Sequence, residues 1–130
     1  MSHFQSIRTQ VREQEHLVQA LRDLHYQFQE GENLVVRGYA GNRETAQVVV
    51  NTGSDYDIGF QHKADQYEVV ADWWGVERSS PIRQQAFIQQ VNRQYAYNLI
   101  RDQAREQNLI VEEEQTLENG DVVILLSERG

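Results

Sequence analysis

The amino-acid sequence predicts an α+β fold in which two helices pack on one face of an antiparallel β-sheet meander, in the order β-α-βββββ-α-ββ. Short β-prone segments separated by turn residues occupy the middle of the chain, and two other segments repeat apolar residues at helical spacing. Near the end, two strand-like runs flank an Asn-Gly pair. Separated helices beside an antiparallel sheet are typical of this class.

The first two predicted elements are a strand and a helix. Polar and apolar side chains alternate weakly over residues 3–11, which favours a strand. The period then changes, because Leu17 and Leu21 belong to a stripe of apolar residues spaced three or four positions apart. This spacing predicts an amphipathic helix over residues 12–24.

Five strands are predicted in the middle of the chain, from the segments HYQFQE, NLVVRGY, ETAQVVVN, YDIGFQ and QYEVVADWW. A turn over residues 62–65 is expected to join the last two strands, so that Phe60 lies opposite Tyr67. Neighbouring residues of a strand point to opposite faces. We therefore expect Trp73 on the apolar face of the sheet and Trp74 on its polar face.

A long second helix is predicted after Ser80, which is expected to cap it, with Pro81 at the first helical position. Its apolar stripe recurs every four residues, at Phe87, Val91, Tyr95 and Leu99. Tyr97 lies about 200° around the axis from Tyr95, on the polar side of the helix. Beyond the helix, Asn119 and Gly120 are expected to form the turn of a final hairpin.

The composition indicates one globular domain spanning residues 1–130, long enough to bury a core without disulfides. The net charge is −8, the pI is near 4.9, and Lys63 is the sole lysine. Nucleic-acid binding needs clustered basic residues, so this composition disfavours it. It favours a protein partner with a basic surface instead, and it leaves a homo-oligomer open.

The distribution of apolar residues bears on location. No stretch approaches the roughly 18 consecutive apolar residues of a spanning helix, which predicts that the chain has no integral membrane segment. The first ten residues lack the basic and then apolar layout of a signal peptide. A soluble protein of the cytoplasm or of an organelle interior is therefore expected.

Candidate binding residues cluster on the polar face of the predicted YDIGF–YEVVADWW hairpin. Asp57 and Asp72 would lie near each other there, and two carboxylates can serve as acid and base or hold a cation. Like charges on neighbouring strands destabilise a sheet unless they are neutralised, which Arg37 or Arg43 could do. A structural role is the more common outcome for such a pair. Trp74 beside them is a candidate partner contact, because exposed tryptophans are enriched at binding hot spots.

Tyr97, on the polar side of the long helix, is a second candidate aromatic residue for binding a partner.

Other sequence features exclude classes of chemistry. The chain has no cysteine, and its four histidines lack the spacing of a zinc site, so no metal or other cofactor is predicted. The serines and glycines form neither a nucleophile elbow nor a phosphate-binding loop. Nothing identifies catalytic residues, and a non-enzymatic protein is favoured.

The segments MSHF, RGYAG, YDIGF, YEVVADWW and QYAYN, in this order, resemble the hypothetical chloroplast open reading frame 35 family over nearly the whole chain. The resemblance implies an origin in a cyanobacterium or a plastid, and a location in the cytoplasm or the stroma. It brings no catalytic residues, because the family belongs to a wider group of small domains of unknown function.

Two hypotheses for function follow. The first is a non-enzymatic binding or assembly module that uses Trp74, Tyr97, Asp57, Asp72 and Arg37. The alternative is a small-molecule-binding protein or enzyme with a pocket between the sheet and the long helix. The packing of that interface separates the two hypotheses, because a pocket requires unfilled space there.

Overall fold

The computed structural model describes residues 3–118 and 122–128 and confirms the α+β class. The strands are β1 (Gln5–Arg8), β2 (Gln27–Arg37), β3 (Arg43–Asn51), β4 (Asp57–Lys63), β5 (Gln66–Ala71), β6 (Leu109–Thr116) and β7 (Val122–Glu128). The helices are α1 (Gln14–Asp23), α2 (Trp73–Ser79) and α3 (Gln84–Glu106). Among these described elements, five strands form one sheet in the order β1-β5-β4-β3-β2, and β6 pairs with β7 in a second sheet.

The large sheet is antiparallel throughout. Strands β2 to β5 form the predicted meander, and β1 pairs with the edge of β5. The helices α1 and α3 cover one face of this sheet, which we call the helix face. Its core contains apolar side chains from both layers: Leu17, Val18, Leu21, Val48, Val50, Ile58, Phe60, Tyr67, Val69, Phe87, Val91 and Tyr95. The predicted placement of the helices on one face is therefore confirmed.

The prediction of five strands in the middle of the chain was wrong by one. The segments HYQFQE and NLVVRGY form a single strand, β2, whose pairing with β3 shifts between Glu30 and Leu34. A bulge of this kind bends a strand without ending it. Gly31 and the polar residues around it therefore mark an irregularity within the strand where a turn was predicted.

The register of the β4–β5 hairpin also differs from the prediction. Phe60 pairs with Val69, two positions beyond the predicted partner Tyr67. The hairpin closes with a tight loop of Ala64 and Asp65, in which Ala64 has a φ of 56°. Alanine rarely adopts this conformation, so the composition predicted a wider turn. A shift of two residues keeps every side chain on its predicted face.

The distal part of the β2–β3 hairpin, residues 34–46, folds over the face of the sheet opposite the helices. Val36 is fully buried there, and a Cβ at Gly59 of β4 would lie 2.5 Å from its Cγ2. Near the tip of the hairpin, a Cβ at Gly38 would lie 2.6 Å from the ring of Phe4. A side chain at Gly59 would force the two layers apart, and one at Gly38 would displace the Phe4 ring.

The two tryptophans begin a helix, which corrects the prediction that they continue a strand. Asp72 is the N-cap of α2, and its carboxylate accepts a hydrogen bond from the backbone nitrogen of Gly75. Trp73 is 3% exposed and lies against Phe87, whereas Trp74 is 46% exposed. The expected division between a core and a surface tryptophan is confirmed, because consecutive helical residues also point in different directions.

The predicted start of the long helix was three residues too early. Ser80 follows α2 as its C-cap, and its hydroxyl donates to the carbonyl of Val76 and accepts from the backbone nitrogen of Ile82. Pro81 lies in the connection, and α3 begins at Gln84. A Ser-Pro pair can follow one helix as well as precede another, and the sequence pattern of α2 was not recognised.

The final hairpin, β6–β7, packs on α3. The helix ends at Glu106, and Asn108 takes the left-handed conformation, with a φ of 58°, that commonly follows a helix. The strands pair antiparallel with a bulge between Val111 and Glu113. Both strands of the predicted hairpin are thus present, while its predicted turn residues Asn119 and Gly120 lie outside the described residues.

Candidate functional site

Four of the five predicted binding residues come together where the tip of the β2–β3 hairpin meets the start of α2. Arg37 belongs to the hairpin, Asp57 begins β4, Asp72 caps α2, and Trp74 lies in its first turn. Tyr97 lies elsewhere, on α3. The fold-over of the hairpin produces this arrangement, because it brings residues 37–39 against β4 and α2.

The carboxylate of Asp57 is buried and is bound on several sides by one residue. It accepts hydrogen bonds from the backbone nitrogen of Arg37 at 2.9 Å and from its guanidinium at 2.8 and 3.0 Å. The same guanidinium donates to the carbonyl of Ser54 at 2.8 Å. The hydrogen bond to Asp57 raises the pKa of Arg37. The expected neutralisation of this acid by Arg37 is present, and it fastens the hairpin to β4.

Asp72 forms the second attachment of the hairpin. Its carboxylate, 1% exposed, accepts from the backbone nitrogens of Gly75 at 3.2 Å and Tyr39 at 3.3 Å. One side chain therefore caps α2 and holds the tip of the hairpin. The two buried acids bind separate backbone groups, as structural anchors do.

Three side chains near these anchors are exposed, Tyr39, Trp74 and Arg78, and we call them the aromatic surface. Tyr39 is 48% exposed, and its backbone is bound to Asp72, two residues before Trp74. The guanidinium of Arg78 lies over the Trp74 ring at 4.3 Å from its centroid. This cation–π contact orients the indole while nearly half of it stays open to solvent.

Tyr56 supports the aromatic surface from below. A Cβ at Gly75 would lie 1.9 Å from its ring, so the tyrosine packs directly against the backbone of α2. Partial burial, followed by the charge of Asp72, raises the pKa of the Tyr56 hydroxyl. The surface thus rests on packed aromatic and capped backbone groups.

Tyr97 serves a different part of the molecule. It is half-buried where α3 meets β6, and a hydrogen bond to Glu114 raises the pKa of its hydroxyl. The guanidinium of Arg101 lies 5.4 Å from its ring centroid. Tyr97 was predicted to be exposed, which is corrected here. The final hairpin covers this side of α3, and the helix pattern alone gave no sign of that contact.

The space between the sheet and α3 is filled by side chains. Phe60, Tyr67, Phe87 and Tyr95 are all buried in it, at 5% exposure or less. The hydroxyl of Tyr95 accepts hydrogen bonds from the backbone nitrogens of Arg12 and Glu13, which ties α3 to the start of α1. The alternative hypothesis of a pocket at this interface therefore loses its proposed site.

Sequence reasoning missed Tyr39 and Arg78. Tyr39 was placed at the end of the predicted strand NLVVRGY, but it begins a short 3-10 segment over Tyr39–Gly41. Arg78 lies four residues after Trp74, a spacing that brings the two side chains together only in a helix. The helical period of α2 was the signal that could have identified both the contact and the surface.

A second cluster of titratable side chains joins α1 to α3. The ring of His16 contacts Glu13 through Nδ1 and Asp102 through Nε2, the latter at 2.8 Å. Partial burial lowers the pKa of His16, but the hydrogen bonds to Asp102 and Glu13 outweigh it, so the net pKa is raised. Throughout residues 3–118 and 122–128, no group of three His, Asp or Glu side chains is arranged to hold a metal ion.

Comparison with known proteins identifies the family. The family model "Protein of unknown function (DUF1257)" matches residues 20–125. The chain belongs to this family. The resemblance to the hypothetical chloroplast open reading frame 35 family is confirmed, because two relatives carry the name ycf35. They are "Uncharacterized protein ycf35" of Guillardia theta, 31% identical, and of Cyanophora paradoxa, 27% identical.

Both relatives align with this DUF1257 chain along nearly its full length. Each alignment covers 128 residues, which is 97% of this chain and 96% of the relative. No solved structure matches the chain. Among the described helices of this DUF1257 member, none combines the length and the apolar character needed to cross a membrane.

Proposed function

We propose that this DUF1257 chain is a non-enzymatic binding or assembly module that contacts a protein partner through its aromatic surface. The observation that carries the proposal is the exposure of Trp74 and Tyr39, at 46% and 48%, on a support of buried hydrogen bonds. Tryptophan, tyrosine and arginine are the residues most enriched at binding hot spots. A rigid anchor also loses little conformational entropy on binding.

In this proposal Arg37, Asp57 and Asp72 act indirectly, by holding the tip of the hairpin beside α2. The partner contacts Trp74 and Tyr39. The net charge of −8 favours a partner whose surface is basic, because opposite charges accelerate encounter. The proposed setting is a cyanobacterial cytoplasm or a plastid stroma, which the origin of the relatives supports.

The test is affinity capture from a native lysate at low salt with matched baits. The baits are the wild type, Trp74→Ala, Tyr39→Ala and the control Val35→Ala, which alters an apolar side chain of similar exposure, 44%, on the same hairpin. We expect a stoichiometric partner with the wild type and the control, and its loss with both aromatic variants. Equal recovery by all four baits would exclude the aromatic surface as the contact.

A further inference from the structure

The β6–β7 hairpin leaves one face uncovered, and that face carries three exposed apolar side chains. Val123 and Leu125 of β7 are 49% and 53% exposed, and Ile110 of β6 is 38% exposed. Val123 and Leu125 are two positions apart on β7, and Ile110 pairs with Ser127, two positions after Leu125. The three apolar side chains therefore share one face of the hairpin, the face directed away from α3. We call this set of three apolar residues the hairpin ridge. The opposite face packs on α3, as the contact between Glu114 and Tyr97 shows.

The segment that forms the hairpin carries charge of a single sign. Residues 109–128 contain six acidic side chains and neither lysine nor arginine, so this segment holds most of the net charge of −8. Glu113 lies opposite Leu125 in the pairing of the strands and is exposed beside it. Glu112 accepts a hydrogen bond from the Ser127 hydroxyl, which holds a second carboxylate close to the ridge.

This combination selects among the possible occupants of the ridge. A second copy of the chain would bring one acidic hairpin against another, and the repulsion between like charges opposes such a dimer. A segment with apolar side chains flanked by lysine or arginine would bury the ridge and neutralise its carboxylates together. We propose that the hairpin ridge is a docking surface for a basic, apolar segment of a protein partner, distinct from the aromatic surface.

The proposal goes beyond the function assigned to Trp74, and the two are separable by substitution. The probe is a fluorescently labelled peptide of about ten residues, the upper length of an ordinary strand, in which lysine alternates with valine. Two control peptides replace either lysine by glutamate or valine by serine. Anisotropy titrations against the full chain at low and high salt measure the affinity of each peptide.

Two variants test the apolar side chains of the ridge and the neighbouring negative charge separately. Val123→Thr with Leu125→Thr removes apolar surface at little cost to strand propensity, and Glu113→Gln removes one charge while leaving the ridge intact. We expect the double variant to weaken binding of the lysine–valine peptide by about tenfold or more, as for the loss of one good apolar contact. Glu113→Gln should reduce both the affinity and its salt dependence, while Trp74→Ala should leave them unchanged.

Three results would overturn the proposal. Equal affinity for the lysine–serine peptide would show that charge alone binds the probe. Unchanged affinity in the double variant, with circular dichroism confirming its fold, would exclude the ridge. Sedimentation across the micromolar range that reveals a dimer in the wild type and a monomer in the double variant would assign the ridge to self-association.

Discussion

Substitution of Asp57 by asparagine tests whether the fold-over of the β2–β3 hairpin depends on a buried carboxylate. The side chain of Asp57 is 8% exposed and accepts hydrogen bonds from the backbone and guanidinium of Arg37. Asparagine keeps the shape, but it removes the negative charge and places an amide donor against the arginine donors. At least one charge-assisted hydrogen bond is therefore lost.

The expected loss of stability follows from these contacts. A hydrogen bond to a charged group contributes about 1.5–3 kcal/mol, and breaking a buried ion pair costs about 3–5 kcal/mol. Because the Arg37 side chain is 48% exposed, water can partly solvate its guanidinium after the substitution. We therefore expect Asp57→Asn to lower the free energy of unfolding by about 2–4 kcal/mol, below the full cost of a buried pair.

Urea titration followed by circular dichroism measures this difference. The matched control is Asp55→Asn, since Asp55 is fully exposed and lies 4.0 Å from the same guanidinium. The control should leave the midpoint unchanged within error. In an Arg37→Gln background, the cost of Asp57→Asn should fall, because the two residues act through one interaction. Equal effects of the two asparagine substitutions, or full additivity with Arg37→Gln, would refute the stabilising role of the Arg37–Asp57 pair.

Three further predictions concern the tryptophans, the partly buried His16 and the long helix. Trp73→Ala should lower the free energy of unfolding by about 3–5 kcal/mol as a large-to-small core change, whereas Trp74→Ala should cost far less; urea titration of both compares them. Protonated His16 should add stability that is fully present below its unfolded pKa of about 6.5. This stability is lost as the pH rises through the raised folded pKa. The melting temperatures of the wild type and His16→Gln should therefore converge at alkaline pH. Val91→Asp should unfold or aggregate the protein by burying a charge, while the exposed Gln89→Asp should not; equal melting temperatures would contradict the assigned helix face.

Periodic burial is the part of the fold that the sequence predicted well. The spacing of Leu17 and Leu21 on α1, and of Phe87, Val91 and Tyr95 on α3, corresponds to side chains buried on the helix face. Such a pattern repeats over several turns, so one mistaken position does not change the assignment. The faces of β4 and β5 were also correct, because the error in register was an even number of residues.

The segment ADWWGVERSS illustrates what local patterns did not determine. Two consecutive tryptophans after an alternating strand favour continuation of that strand, since aromatic residues have high β propensity. Asp72 supplies a local cap for the helix, and Trp73 adds a tertiary contact because it is buried against Phe87 of α3. The tertiary contact could not be read from the local pattern, which left the strand as the favoured prediction.

The candidate site depended on one long-range feature, the fold-over of residues 34–46. The sequence predicted Arg37, Asp57 and Asp72 on one polar face, and Arg37 and Asp57 form an ion pair. Their function as anchors for backbone groups, and the place of Tyr39 above them, required the bend in β2 to be known. A bulge is encoded by the packing of the whole sheet, and Gly31 alone was compatible with either a bulge or a turn.

The β6–β7 hairpin has a consequence for how amide hydrogens exchange with solvent. A two-stranded sheet is marginally stable by itself, so these strands depend on their packing against α3. Their amides should therefore exchange through local opening, faster than those of the central strands β3 and β4, which exchange at the rate set by more extensive unfolding. A ligand that binds the closed hairpin must suppress that opening. Slower amide exchange confined to β6 and β7 would then show which residues of the hairpin the ligand covers. This measurement works even when the affinity is too weak for the complex to be isolated.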